Sequence, residues 1–130
     1  VKVETPQLGD YLRNIMIRFA PDHSVFHLML NRNKRSLTCD ARTEAGKEVM
    51  AKLIADADIF VTGNIGDTNI KLGLDYESVR KINPRIVYGS ISGFGQSCPD
   101  ATRPGADHTP WAGRSKCSAK ASVTCIRGVY

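Results

Sequence analysis

Helical and strand-like patterns alternate along the middle of the chain, and this alternation restricts the fold more than any other feature. Short strand-like runs at 36–39, 59–62 and 86–88 are separated by segments with helical periodicity, and the last two runs are rich in β-branched or aromatic residues. Strands connected through helices pair in parallel, because each helix returns the chain to the start of the next strand. The pattern therefore predicts an α/β fold with a Rossmann-like parallel sheet and flanking helices.

Local signals predict where several elements begin and end. Thr43 can cap a helix with one apolar face, formed by Val49, Met50, Leu53, Ile54 and Ala57. Asp75 is expected to cap a further helix, which Asn83-Pro84 ends before a strand at Ile86. A strand end at 1–4 and short helices at 25–30 and 68–72 complete the prediction, whereas 9–23 shows no clean period.

The net charge of +5 belongs to the C-terminal end of the chain. Residues 1–107 hold 14 basic and 13 acidic residues, whereas 108–130 hold four basic residues and no acidic one. This tail also lacks apolar periodicity, so we expect one partial α/β domain at 1–107 and an irregular, poorly ordered tail at 108–130. Few aromatic residues accompany the basic ones, which argues against a nucleic-acid partner. No apolar run is long enough to span a membrane.

The cysteines and histidines do not form a recognisable metal motif. The four cysteines, Cys39, Cys98, Cys117 and Cys125, have no CxxC spacing, and we expect reduced thiols rather than a disulfide pair or a metal site. His23 and His27 are four residues apart and could share a helix face. No Asp, Glu or Cys clusters with them in sequence, so no metal is predicted.

Several motifs occur in an order that points to one family. They are Asn31-Arg32-Asn33-Lys34-Arg35-Ser36, Leu72-Gly73-Leu74, Asn83-Pro84-Arg85 and the loop from Ser90 to Gln96. Together they resemble the class III coenzyme A-transferase family (CaiB/BaiF), which includes formyl-CoA transferases and α-methylacyl-CoA racemases. The resemblance implies the middle slice of a larger Rossmann-like domain, in a family whose intact members form interlocked homodimers.

The resemblance also implies a function and a site. Its transferases move coenzyme A between carboxylic acids through an aspartyl-CoA thioester, with acyl-CoA and acids as substrates and no covalently bound cofactor. The CoA-binding positions carried over to this chain are Cys39, Asp40, Ala41, Arg42, Gly63, Asn64, Ile65, Lys71, Pro104, Gly105, Ala106 and Asp107. The family's nucleophilic aspartate is expected beyond Tyr130, so no catalytic residue is predicted here, and activity of this chain alone is left open.

Two alternative functions remain open at this point. One is an acyl-CoA protein similar to the α-methylacyl-CoA racemases, in which a histidine at the position of Ala106 exchanges a proton. The other is a non-catalytic, truncated interaction protein whose basic tail binds an acidic partner. The family resemblance implies a cytoplasmic protein, or a mitochondrial or peroxisomal one if the source is eukaryotic.

Overall fold

Parallel strand pairs connected through helices form the framework of this computed structural model. It describes residues 1–15, 17–21, 23–64, 66–94, 99, 101 and 122–127. The chain divides into two units, Val1–Met50 and Ala51–Tyr130, and the helix Glu44–Asp56 crosses the division. Within the described part of the chain, no helix has the length and apolar character needed to cross a bilayer.

The first unit is built on one parallel strand pair. In chain order its elements are β1 (Lys2–Glu4), a 3-10 helix (Tyr11–Asn14), β2 (Arg18–Ala20), β3 (His23–Ser24), α1 (Val25–Leu30) and β4 (Ser36–Thr38). Strand β1 pairs in parallel with β4, with Val3 opposite Leu37, while β2 and β3 pair antiparallel. The strand end at 1–4, the short helix at 25–30 and the strand at 36–38 agree with the sequence prediction.

Helix α2 (Glu44–Asp56) begins where the sequence predicted. The Thr43 hydroxyl accepts a hydrogen bond from the Gly46 N–H at 3.0 Å, which satisfies one of the free donors of the first turn. Met50 and Ile54 are buried, as expected for the predicted apolar face, although Val49 at its edge is 39% exposed.

The second unit contains a three-stranded sheet. After α2 come β5 (Ile59–Thr62), α3 (Gly66–Leu72), α4 (Tyr76–Ile82), β6 (Val87–Ser92) and β7 (Ser122–Arg127), with the sheet order β5-β6-β7. Strands β5 and β6 are parallel, with Phe60 opposite Tyr88 and Thr62 opposite Ser90. The rings of Phe60 and Tyr88 stack at 5.6 Å.

A left-handed glycine ends α3. Gly73 has φ +66°, its N–H donates to the Ile70 carbonyl, and the next N–H, that of Leu74, donates to the Asn69 carbonyl at 2.8 Å. These two bonds form a Schellman motif, which explains why glycine follows Leu72. The motif also fixes Asn69 and turns Leu74 into the core, where it is buried.

The predicted α/β fold with parallel strands is confirmed, and one strand is added to it. No element was expected at 122–127, yet β7 pairs antiparallel with the whole of β6, from Ser122 opposite Ser92 to Arg127 opposite Val87. The remainder of the predicted irregular tail, 108–121 and 128–130, lies outside the described residues.

Candidate functional site

The carboxyl end of β5 carries a network of polar side chains. The Thr62 hydroxyl donates to Asn69 Oδ1 at 3.1 Å, and Asn64 Nδ2 donates to the same oxygen at 3.2 Å. The Thr62 hydroxyl also accepts from the backbone N–H of Asn64 at 3.2 Å. In open α/β sheets, ligands bind at the carboxyl ends of the parallel strands. This network therefore lies where a binding loop is expected.

Tyr88 of β6 extends the network into the core. Asn69 Nδ2 donates to the Tyr88 hydroxyl at 3.5 Å, and that hydroxyl donates to the Leu74 carbonyl at 2.9 Å. Burial, with a smaller contribution from the charge of Asp75, raises the pKa of Tyr88 above its usual value. The phenol therefore stays neutral and anchors Asn69, which is itself only 3% exposed.

The loop that this network holds is open to solvent. Gly63 and Asn64 are both exposed, and a Cβ added at Gly63 would meet no atom within 4 Å. The backbone of this loop is therefore accessible to a ligand. Lys71, in the last turn of α3, is also exposed, whereas Ile65 lies outside the described residues.

In the first unit, the segment after β4 brings two predicted site residues together. Arg42 Nε and Nη2 donate to the two Asp40 oxygens at 2.8 Å each, and the Arg42 backbone N–H donates to Asp40 Oδ1 at 3.0 Å. The hydrogen bonds from the Arg42 guanidinium hold the pKa of Asp40 at about 2. The guanidinium is 66% exposed, so this ion pair faces water.

The neighbouring predicted residues lie deeper in the fold. The Cys39 thiol is buried and approaches the Gly46 carbonyl at 3.5 Å, and Ala41 is half-buried. The Cys39 N–H also donates to the Glu4 carbonyl at 2.9 Å, so this residue is held within the fold. The last predicted group, Pro104, Gly105, Ala106 and Asp107, lies outside the described residues.

Three residues that hold the β5 loop were missed as site residues by sequence reasoning. They are Thr62, Asn69 and Tyr88, and they act on the loop rather than on a ligand. Thr62 and Asn69 are 7% and 3% exposed, which is uncommon for polar side chains. The one available signal was a polar residue ending a predicted strand and an asparagine within the next helix, and neither specifies the pairing. The strand was expected to be buried, yet Ile59 and Val61 are 63% and 60% exposed.

Known proteins resemble most of the chain. The model of CoA-transferase family III matches residues 1–122. The Formyl-CoA:oxalate CoA-transferases of Escherichia coli O6:H1 and of Shigella boydii serotype 18 are each 41% identical over 100 residues, which are 76% of this chain. The chain spans about a quarter of these relatives, 24% of their length.

Solved structures agree with the sequence matches. A CAIB/BAIF family protein from Brucella suis superposes with a TM-score of 0.74 and is 39% identical in sequence. The match covers 85% of this chain and 30% of the Brucella suis chain. The hypothetical protein Rv3272 from Mycobacterium tuberculosis also superposes with a TM-score of 0.74 and is 30% identical. The match covers 96% of this chain and 36% of the Rv3272 chain.

Proposed function

Because the chain belongs to CoA-transferase family III, we propose that it forms part of the CoA-binding surface of an enzyme that transfers coenzyme A between carboxylic acids. The match of residues 1–122 to the family is the observation that carries this proposal. The names of its relatives favour formyl-CoA and oxalate as the acyl donor and the acceptor acid. In this proposal the assembled enzyme is an interlocked homodimer.

Two exposed segments are proposed as contacts for CoA. After β4, Arg42 would exchange its Asp40 partner for a phosphate of CoA. An exposed ion pair contributes little to stability, so this exchange costs little, and a guanidinium binds phosphate with two parallel hydrogen bonds. After β5, the Gly63-Asn64 backbone and the exposed Lys71 are proposed to contact the ligand near its pyrophosphate.

In the proposed reaction, a carboxylate attacks the thioester carbonyl and expels the CoA thiolate, which gives a mixed anhydride. The thiolate then attacks the anhydride at the enzyme carboxyl and forms the aspartyl-CoA thioester while releasing the first acid. The acceptor acid repeats the two steps in reverse order, so that no net proton or electron is consumed. The role proposed for this chain in the reaction is CoA binding.

The test is calorimetric titration of the purified chain with CoA. We expect saturable binding that Arg42→Gln weakens by about tenfold, because a charged hydrogen-bonded contact contributes about 1.5–3 kcal/mol. Asn64→Ala and Lys71→Gln are expected to weaken it as well. Lys47→Gln is the matched control, since Lys47 is an exposed lysine of α2 paired with Glu44. Absence of binding at millimolar CoA, or equal affinity in Arg42→Gln and Lys47→Gln, would contradict the proposal.

A further inference from the structure

A partly buried cluster of two carboxylates and an imidazole lies in the first unit, among residues that the CoA proposal does not use. Glu4 ends β1, Asp10 caps the 3-10 helix and His27 lies in α1. His27 Nε2 is 3.8 Å from Glu4 Oε1 and 4.0 Å from Asp10 Oδ2. One donor atom from each of the three residues lies within 4.8 Å of the others.

The imidazole of His27 faces this cluster without a hydrogen bond. The residue is 9% exposed, and neither ring nitrogen has a hydrogen-bond partner among the described residues. The two carboxylate oxygens are too distant for a direct bond, because N–H···O bonds span about 2.7–3.2 Å. A buried polar group without a partner destabilises the folded state, so a group that bridges Nε2 to the carboxylates would stabilise the unit.

The fold holds His27 in this position from the backbone. Ser24, which is fully buried, caps α1 by accepting the His27 N–H at 3.0 Å, and its hydroxyl donates to the Leu12 carbonyl. The start of α1 is thereby attached to the 3-10 helix that follows Asp10. The cap fixes the backbone from which the imidazole extends towards the carboxylates.

Two basic side chains, those of Arg13 and Lys2, already lie against the carboxylates of the cluster. Arg13 Nε and Nη2 hold the two Glu4 oxygens at 2.8 and 3.1 Å. Lys2 Nζ contacts Asp10 Oδ2 and lies 3.3 Å from Glu4 Oε1, while Asn31 Nδ2 is 3.4 Å from the same Asp10 oxygen. The Lys2 ammonium thus lies against the two oxygens that face His27, on a flexible chain that can move its charge into water.

We propose that this cluster binds a divalent transition-metal ion of the zinc class, with His27 Nε2, Glu4 Oε1 and Asp10 Oδ2 as ligands. An imidazole combined with carboxylates suits zinc better than magnesium or calcium, which prefer oxygen ligands alone. Bonds of about 2.1 Å in a tetrahedral site put ligand atoms about 3.4 Å apart. The imidazole–carboxylate distances therefore need to shorten by about half an ångström, and the ion takes the place of the Lys2 ammonium.

Zinc chloride titrated into the metal-stripped chain tests the site directly. We expect one zinc ion to bind per chain and the Tm to rise when zinc is added. His27→Gln is expected to raise the Kd for zinc at least about tenfold. His23→Gln is the matched control, because His23 is exposed and its ring contacts only the Pro21 carbonyl among the described groups. Lys2→Met removes the competing cation and is expected to tighten binding by about tenfold.

Two results would overturn the site: no saturable zinc binding by the wild-type chain, or the same Kd in His27→Gln as in His23→Gln. If circular dichroism shows that His27→Gln does not fold, cobalt-loaded wild-type protein decides instead. We then expect paramagnetic shifts of the His27 ring protons and visible cobalt bands without a thiolate charge-transfer band. Unshifted His27 signals, or a thiolate band that indicates binding by cysteine, would equally overturn the proposal.

Discussion

At the scale of single residues, Gly46 is the described glycine at which an added side chain would have the least room. An ideal Cβ built there would lie 1.9 Å from the Asp40 carbonyl oxygen and 3.0 Å from Thr43 Oγ1. The nearest atom belongs to the backbone of the segment before α2, so it cannot rotate away as a side chain would. Glycine at this position therefore allows the segment carrying Asp40 and Arg42 to pack against the start of the helix.

We expect Gly46→Ala to lower the free energy of unfolding by about 1–3 kcal/mol, even though alanine favours helices by about 1 kcal/mol over glycine. The clash outweighs the propensity because its relief must move backbone. Gly63→Ala is the matched control, since nothing lies within 4 Å of the added methyl group, and we expect it to change stability by less than about 0.5 kcal/mol. Urea unfolding measures both. Equal stability of Gly46→Ala and wild type would show that the segment before α2 moves freely.

The family resemblance named the candidate site residues, and the sequence alone is informative only about contacts between near neighbours. Asp40 and Arg42 are two residues apart, so a contact between them needs no tertiary information, and the structure pairs them. Asn69 is different, because it lies in α3 and bonds Thr62 at the end of β5 and the Tyr88 hydroxyl of β6, so the contacts join three separate elements. The contacts of His27 also come from separate elements. The spacing of four residues allowed His23 and His27 to share a helix face, whereas the fold places His27 beside Glu4.

At the scale of elements, Asn83 joins two helix ends. It is the C-cap of α4, and its Nδ2 donates to the carbonyls of Ile54 at 3.1 Å and Ala57 at 2.8 Å, at the end of α2. Its Oδ1 accepts the N–H of Arg85 at 3.1 Å. One side chain thus donates to two carbonyls at the end of α2, of which that of Ile54 also accepts the Ala57 N–H at 3.2 Å.

We expect Asn83→Ala to cost about 1–2 kcal/mol of unfolding free energy, because those carbonyls lose their donor. Asn83→Asp keeps the acceptor for Arg85 but replaces the donor by a negative charge beside a helix C-terminus, so it should cost at least as much. Lys81→Ala, an exposed change in the last turn of α4, is the control. Chemical denaturation of the three variants measures the effect. Wild-type stability in Asn83→Asp would rule out the proposed cap.

Elements with local signals were the ones that sequence could predict. The caps Thr43 and Asp75 and the stop at Asn83-Pro84 act within a few residues, and the structure has each of them. Strand β7 has no such signal, because its stability comes from pairing with β6, about thirty residues earlier in the chain. The short strands β2 and β3 also depend on pairing with each other, which explains why 9–23 gave no clear pattern.

At the scale of the whole molecule, the buried charges of the first unit link stability to pH. Hydrogen bonds from Arg13, with weaker contributions from Lys2 and the Asp10 N–H, lower the pKa of Glu4 from 4.5 to about 2, against the opposing effect of burial. In the unfolded chain this carboxyl regains its ordinary pKa. The unfolded state therefore binds the proton more readily, and acid favours unfolding.

The stabilisation by Glu4 is complete above pH 4.5 or so and is lost as the pH falls towards 2. Between pH 6 and pH 3 we expect a loss of about 2 kcal/mol from this group, and Asp10, whose pKa is also lowered, adds to it. Glu4→Gln is expected to be less stable at pH 6 and to lose about 2 kcal/mol less on acidification. Glu44→Gln should keep the full pH dependence, because that side chain is 87% exposed. Urea unfolding with a chelator present separates this effect from metal binding, and an unchanged pH dependence in Glu4→Gln would refute it.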